Sequence, residues 1–97
     1  MARRVEFLAA ARKEVAEAFE WYQERSAEAA DSFVRELGRG LGLIAESPDV
    51  WPSFELNSRR YILRRYPYSV IYRPDATRIV VVAVAHHSRK PGYWHNR

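Results

Sequence analysis

The 97-residue chain has no cysteine, which excludes a disulfide framework and any thiolate-held metal. It has no apolar run near the roughly 20 residues that a membrane-spanning helix needs. Met1-Ala2-Arg3-Arg4 is basic, but only short apolar pieces follow and acids come early, unlike a secretory leader. A cytoplasmic protein without a membrane role is expected. Lysine is nearly missing as well, because fourteen of the sixteen cations are arginine, whose planar fork suits carboxylate or phosphate. Acids are scarce in one half only. Residues 1–50 carry seven Lys+Arg against ten Asp+Glu, net −3, and residues 51–97 carry nine against two, net +7. That asymmetry points either to an anionic partner for the second half or to a solvated basic face. A chain of this length suits one small domain, residues 1–97, with a single core of modest stability.

Periodicity divides the chain. Arg4-Val5-Glu6-Phe7-Leu8 alternates weakly, as a first strand would. Leu8, Ala11, Val15, Ala18, Phe19 and Tyr22 then recur at spacings of three and four, predicting a helix from about Ala9 to Arg25. Glu14, Glu17, Glu20 and Glu24 are expected on its solvent side. Ser26 is the expected N-cap of a second helix, although alanine at 29 denies it a capping box. Ala30, Phe33, Val34, Leu37, Leu41 and Ile44 form that helix's apolar stripe, and Ser47-Pro48 stops it. So short a connection makes the two helices an antiparallel hairpin. Gly38, Gly40 and Gly42 are unusual within a helix, at about 1 kcal/mol each against alanine. They read either as close backbone approach to the first helix or local fraying, or as a segment that stays mobile until a partner docks. Asp49 to Asn57 reads as a loop whose Trp51, Pro52 and Phe54 lid the core.

The second half is dominated by Arg59-Arg60-Tyr61-Ile62-Leu63-Arg64-Arg65-Tyr66-Pro67-Tyr68-Ser69-Val70-Ile71-Tyr72-Arg73 and by Arg78 to Arg89. β-branched and aromatic residues predict three strands, with turns at Tyr66-Pro67 and at Pro74-Asp75-Ala76-Thr77. In the last strand both alternating sets, Ile79/Val81/Ala83/Ala85 and Val80/Val82/Val84, are apolar, so it is expected to be central and covered on both faces. The helical hairpin covers one face. The other is expected to be covered by a protein partner, and Arg59, Arg60, Arg64, Arg65, Arg73 and Arg78 should stud the sheet as one functional surface. The order β-α-α-β-β-β gives an α+β fold: an N-terminal strand and an antiparallel helical hairpin on a mostly antiparallel sheet. The position of the first strand within the sheet stays open.

Several segments together resemble the RelE/ParE superfamily of small bacterial toxins. They are Glu17-Ala18-Phe19-Glu20-Trp21-Tyr22, Ile44-Ala45-Glu46-Ser47-Pro48 with Trp51-Pro52, and Arg60 through Arg73. The ending Ala83-Val84-Ala85-His86-His87-Ser88-Arg89-Lys90-Pro91-Gly92-Tyr93-Trp94 is similar to the ParE side, the plasmid-stabilisation proteins. The resemblance runs over nearly the whole chain, and the three glycines of the second helix depart from it. It implies the toxin of a type II toxin–antitoxin pair, bound by a disordered antitoxin segment that folds as it wraps the toxin.

The superfamily divides between mRNA cleavage in the ribosome (RelE-like) and inhibition of DNA gyrase (ParE-like), so fold alone does not choose. Metal-free RNA cleavage needs proton transfer and a stabilised phosphorane. Arg60 and Arg64 match basic positions of the RelE catalytic surface, and His86, His87 and Tyr93 complete a nuclease inventory. Ile62 and Ser69, however, stand where the resemblance calls for lysine and arginine. At about 3 kcal/mol per transition-state contact, two lost cations would cripple the chemistry. A strand-end histidine is also more often structural than catalytic, and adjacent strand residues face opposite ways. The resemblance therefore favours a gyrase inhibitor, with Arg59, Arg60, Arg64, Arg65, Arg78, Arg89, Lys90, Tyr93 and Trp94 meeting the target. Phe33, Leu37, Leu41, Arg65, Arg73, Val80 and Val82 are expected to meet the antitoxin. No cofactor or metal is expected. A nucleic-acid module is the third class, since arginine with interleaved aromatics suits RNA, but no RNP-type, KH or zinc-knuckle pattern accompanies it.

Overall fold

The computed structural model describes residues 2–97, so Met1 of the basic N-terminal tetrapeptide lies outside the described residues. The chain runs β1 (Arg4–Phe7), α1 (Ala9–Arg25), α2 (Ala27–Glu46), β2 (Ser53–Phe54), β3 (Ser58–Ile62), β4 (Tyr68–Pro74) and β5 (Arg78–His86). This is the expected α+β architecture, with one addition: the loop expected over Asp49–Asn57 contains the two-residue strand β2, paired antiparallel to β3. The five strands lie in the order β1-β5-β4-β3-β2. Only β1 is parallel to its neighbour, aligning Arg4–Phe7 with Arg78–Val81 of β5. Among the described residues no helix is long and apolar enough to cross a membrane.

Ser26 alone separates the helices. Its hydroxyl accepts from the Ala29 N–H at 3.2 Å, and its own N–H donates to the Tyr22 carbonyl, so one residue ends α1 and starts α2. α2 buries Ala30, Phe33, Leu37, Gly40 and Ile44. Val34, placed in the stripe by spacing, is 46% exposed. Gly40 takes the buried place because the Tyr61 ring of β3 lies against it. A Cβ there would meet Tyr61 Cε2 at 2.6 Å, whereas Gly38 and Gly42 face open space. The close approach is thus to the sheet and not to α1. Tyr61 cannot easily yield, being packed edge-on against Trp51 at 4.8 Å.

The three glycines should therefore respond differently to alanine. Gly38→Ala and Gly42→Ala are each expected to stabilise the fold by roughly 0.5–1 kcal/mol. Gly40→Ala should lose about 1–3 kcal/mol through overpacking. Urea unfolding of the three variants checks this. Equal gains at all three positions would show that Tyr61 imposes nothing on Gly40.

The main core lies between the helices and one face of the sheet and includes Phe33, Leu37, Ile44, Tyr61, Leu63, Val70, Tyr72, Ile79, Val81 and Val84. Tyr72 is fully buried there and donates to the Pro48 carbonyl at 2.6 Å, fastening the exit of α2 to the sheet. Burial pushes its phenol up to about 12.

The opposite sheet face is covered by the chain itself. Trp94 is buried against Ile71, Val82, Ala83 and Ala85, with Leu8, Phe54 and Tyr93 at the margin. This corrects the expectation that a protein partner supplies the second cover. The strict alternation expected along β5 also fails. Tyr72 pairs with Val81 but Ile71 with Ala83, which leaves Val82 as an extra residue. Such a bulge shifts the phase of the side chains by one. Ile79, Val81 and Val84 consequently face the helices, while Val82, Ala83 and Ala85 face Trp94.

Candidate partner-binding surface

Alternation along β3 and the turn after it divide the arginines that were expected to share one surface. Arg59 donates to the Trp51 carbonyl, and Arg60 lies over the Phe54 ring at 4.6 Å on the Trp94 side. Arg73 points to that side as well, donating to the Leu56 and Arg97 carbonyls with Trp94 beneath it. Arg64 and Arg65 lie in the β3–β4 turn, which turns them toward α2. Arg78 pairs with Glu6 at 2.9 Å and Asp75 at 3.1 Å, where β5 begins. Hydrogen bonds from the Thr77 and Arg78 N–H groups, with the Arg78 guanidinium, hold Asp75 at about 2. The sheet thus does not carry one continuous cationic face, and Arg78 stands apart from the rest.

A cleft of about 400 Å³ opens beside Trp94 on the face opposite the helices. It brings Arg60, His86, His87, Arg89, Lys90 and Tyr93 to one place, together with Ser69 and Phe54. Arg59, Arg64, Arg65 and Arg78 do not line it. Within it, His87 Nε2 lies 3.0 Å from the buried Ser69 hydroxyl. His86 Nδ1 accepts from the Ser88 N–H at 3.0 Å, and its ring meets Tyr68 edge-on. Ile62 and Ser69 are direct partners across β3 and β4, so they occupy neighbouring places on this face. Ile62 is 52% exposed. Among the described residues no group of three His, Asp or Glu side chains is placed to hold a metal ion.

One residue of this region was misplaced by its polarity. Glu14, expected on the solvent side of α1, is 8% exposed. Its carboxylate accepts from the Val84 N–H at 3.0 Å, the Tyr93 hydroxyl, and Arg97 at 2.9 and 3.2 Å. Arg97 also donates to the Val82 carbonyl at 3.2 Å. β1 pairs only as far as Val81, so these side chains occupy backbone groups that a longer β1 would have paired. Burial and the adjacent Glu14 carboxylate push the Tyr93 phenol far above its ordinary value. Glu14 keeps the spacing of the buried line, three after Ala11 and four before Ala18, and that was the available signal.

Of the apolar residues expected to meet an antitoxin, Phe33 and Leu37 lie in the main core and Val82 lies under Trp94. None of the three is presented to a partner in this conformation. Leu41 and Val80 are half-buried and Arg65 is exposed. A separate groove of about 440 Å³ runs beside α1 between Trp21, Tyr22, Tyr68 and Arg89. Trp21, 50% exposed, stands in its wall with Arg25 stacked on the ring at 3.6 Å.

The strand, helical hairpin and five-stranded sheet define a small α+β scaffold with its cations divided between two faces. The family model for the ParE toxin of type II toxin–antitoxin systems, parDE, matches residues 5–91. The chain belongs to the ParE toxin family. No curated protein matches the sequence. Among solved structures, a chain of a chromosomal ParDE TA system from P. aeruginosa is similar, with a TM-score of 0.75 at 16% identity. The match covers 88% of this chain and 96% of that one. At that identity the likeness speaks for the fold.

Proposed function

We propose that this toxin inhibits DNA gyrase by direct binding, does not cleave RNA, and is neutralised by a cognate antitoxin. The observation that carries the reading is the Ile62–Ser69 pair. The two neutral residues that replace expected cations are cross-strand neighbours on the sheet face that carries the cleft, Ser69 in its lining and Ile62 beside it. The deficit is therefore one contiguous spot where a phosphorane would need charge, and each missing contact is worth about 3 kcal/mol. The remaining proton-transfer candidates already hold partners: His87 with Ser69, His86 with Ser88, and Tyr93 with Glu14. Arg60, Arg89 and Lys90 then serve as contacts for a protein target at the cleft mouth. Trp94 acts from beneath, as the support of that surface. The groove beside the exposed Trp21 is the apolar surface left to the antitoxin.

The RelE-like alternative has one observation in its favour, the shared position of Arg60 and His87 in the cleft. Purified toxin added to a gyrase supercoiling assay should stop supercoiling, and mRNA in a translation extract should stay intact. Unaffected gyrase together with cleaved mRNA would reverse the assignment.

A further inference from the structure

A second basic concavity lies away from the cleft, on the helix side of the sheet. The β3–β4 turn sets Arg64 and Arg65 against Arg35 and Arg39 of α2 around a hollow of about 290 Å³. We propose that these four arginines form a binding site for the phosphodiester backbone of duplex DNA.

The charge balance comes first. Glu36 is the only acid lining the hollow, so four guanidiniums face one carboxylate and three positive charges remain in excess. Glu36 is spent on the cradle itself. It pairs with Arg39 at 3.3 Å and accepts the Arg64 N–H at 2.9 Å, tying the turn to the helix. The side chains of Arg35, Arg64 and Arg65 make no ion pair among the described residues and are exposed.

The shape selects the ligand. None of the large exposed apolar side chains lines the hollow, so it lacks the anchors on which protein interfaces depend. Its one aromatic, Tyr66, is packed edge-on against Tyr22 and Phe33, with its hydroxyl donating to the Ala29 carbonyl. That leaves no free ring on which unpaired bases could stack, as single strands require. A duplex offers phosphates outward and needs no stacking platform. Arg35 and Arg39 stand four residues apart on α2, about 6 Å along its axis. Two guanidiniums at that spacing can each meet a separate phosphate of one strand.

The test is fluorescence anisotropy of a short fluorescein-labelled DNA duplex titrated with toxin across a series of salt concentrations. The Arg35→Gln/Arg65→Asn variant should bind roughly tenfold more weakly, with a salt slope shallower by about two. Asparagine is chosen at 65 because Arg65 has φ +72°, a conformation asparagine tolerates. Arg35→Gln alone, on an exposed helix face, should reduce the slope by about one and leave the melting curve unchanged. A charge-matched Arg12→Gln/Lys13→Gln variant on α1 should bind as the parent does. Four results would overturn the site: no duplex binding, equal losses in both double variants, tighter binding of the single strand, or displacement by polyglutamate at lower concentration than by unlabelled duplex. The assignment is independent of the gyrase reading. Duplex binding with untouched supercoiling keeps the site and removes gyrase, and the converse result does the opposite.

Discussion

Trp94→Ala should lower the unfolding free energy by about 3–5 kcal/mol, the usual cost of emptying a buried tryptophan site. For a domain of this size that corresponds to a melting temperature lower by at least about 12 °C. The indole is 2% exposed and covers Ile71, Val82, Ala83 and Ala85, none of which has another layer above it. Little can collapse into the space, because the floor is a sheet and the rings beside the indole are held in place: Phe54 at 6.0 Å belongs to β2, and His95, edge-on at 4.7 Å, is tied to Glu55. The variant should also bind a hydrophobic dye, since the uncovered face is apolar. Trp94→Phe, which keeps most of the cover, should lose much less. Urea and thermal unfolding measure the loss. A Trp94→Ala protein within about 1 kcal/mol of the parent would mean that the tail is not the cover of this face, and would return that face to a partner.

How much of this was readable beforehand depended on whether the signal was local. The helix limits and the Ser26 cap followed from spacing and from one hydroxyl, and both are present. Strand identity and the turn positions followed from β-branched runs and prolines. The place of β1 did not, because four weakly alternating residues carry no record of a parallel partner more than seventy positions away. The bulge at Val82 was invisible for a related reason. A run that is apolar at every position, Ile79 to Ala85, has no alternation whose phase could be seen to slip. The arginines were visible as a composition and misread as a surface. Alternation sends Arg59 and Arg60 to opposite sides, and a single turn carries Arg64 and Arg65 round to α2. Of the candidate site, the cleft residues Arg60, His86, His87, Arg89, Lys90 and Tyr93 were named from sequence and do converge. The Arg35 and Arg39 half of the cradle was missed, since helix arginines at four-residue spacing look like an ordinary solvated face.

Glu14→Ala should be comparably damaging, at about 3–5 kcal/mol, because it breaks a buried ion pair from one side. Arg97 is left with its guanidinium about four-fifths buried and no carboxylate. The Val84 N–H and the Tyr93 hydroxyl lose their acceptor in the same step, and an unsatisfied buried donor costs about 1–3 kcal/mol. Glu14→Gln separates the two contributions. The amide keeps an acceptor oxygen for one of those donors while removing the charge, so its loss should fall clearly short of the alanine value. Arg97→Gln should cost less again, since the carboxylate keeps its N–H and O–H donors. The double variant Glu14→Gln/Arg97→Gln should then be more stable than the sum of the single losses predicts, by an amount that reports the pair itself. Because Glu14 joins α1 to β5 and to Tyr93, its loss should also loosen the wall shared by the Trp21 groove and the sheet-face cleft. Amide exchange at Val84 in the Glu14→Ala protein reads that directly. Exchange as slow as in the parent, with full stability, would reduce the cluster to a surface decoration and leave the edge of β5 beyond β1 without its fastening.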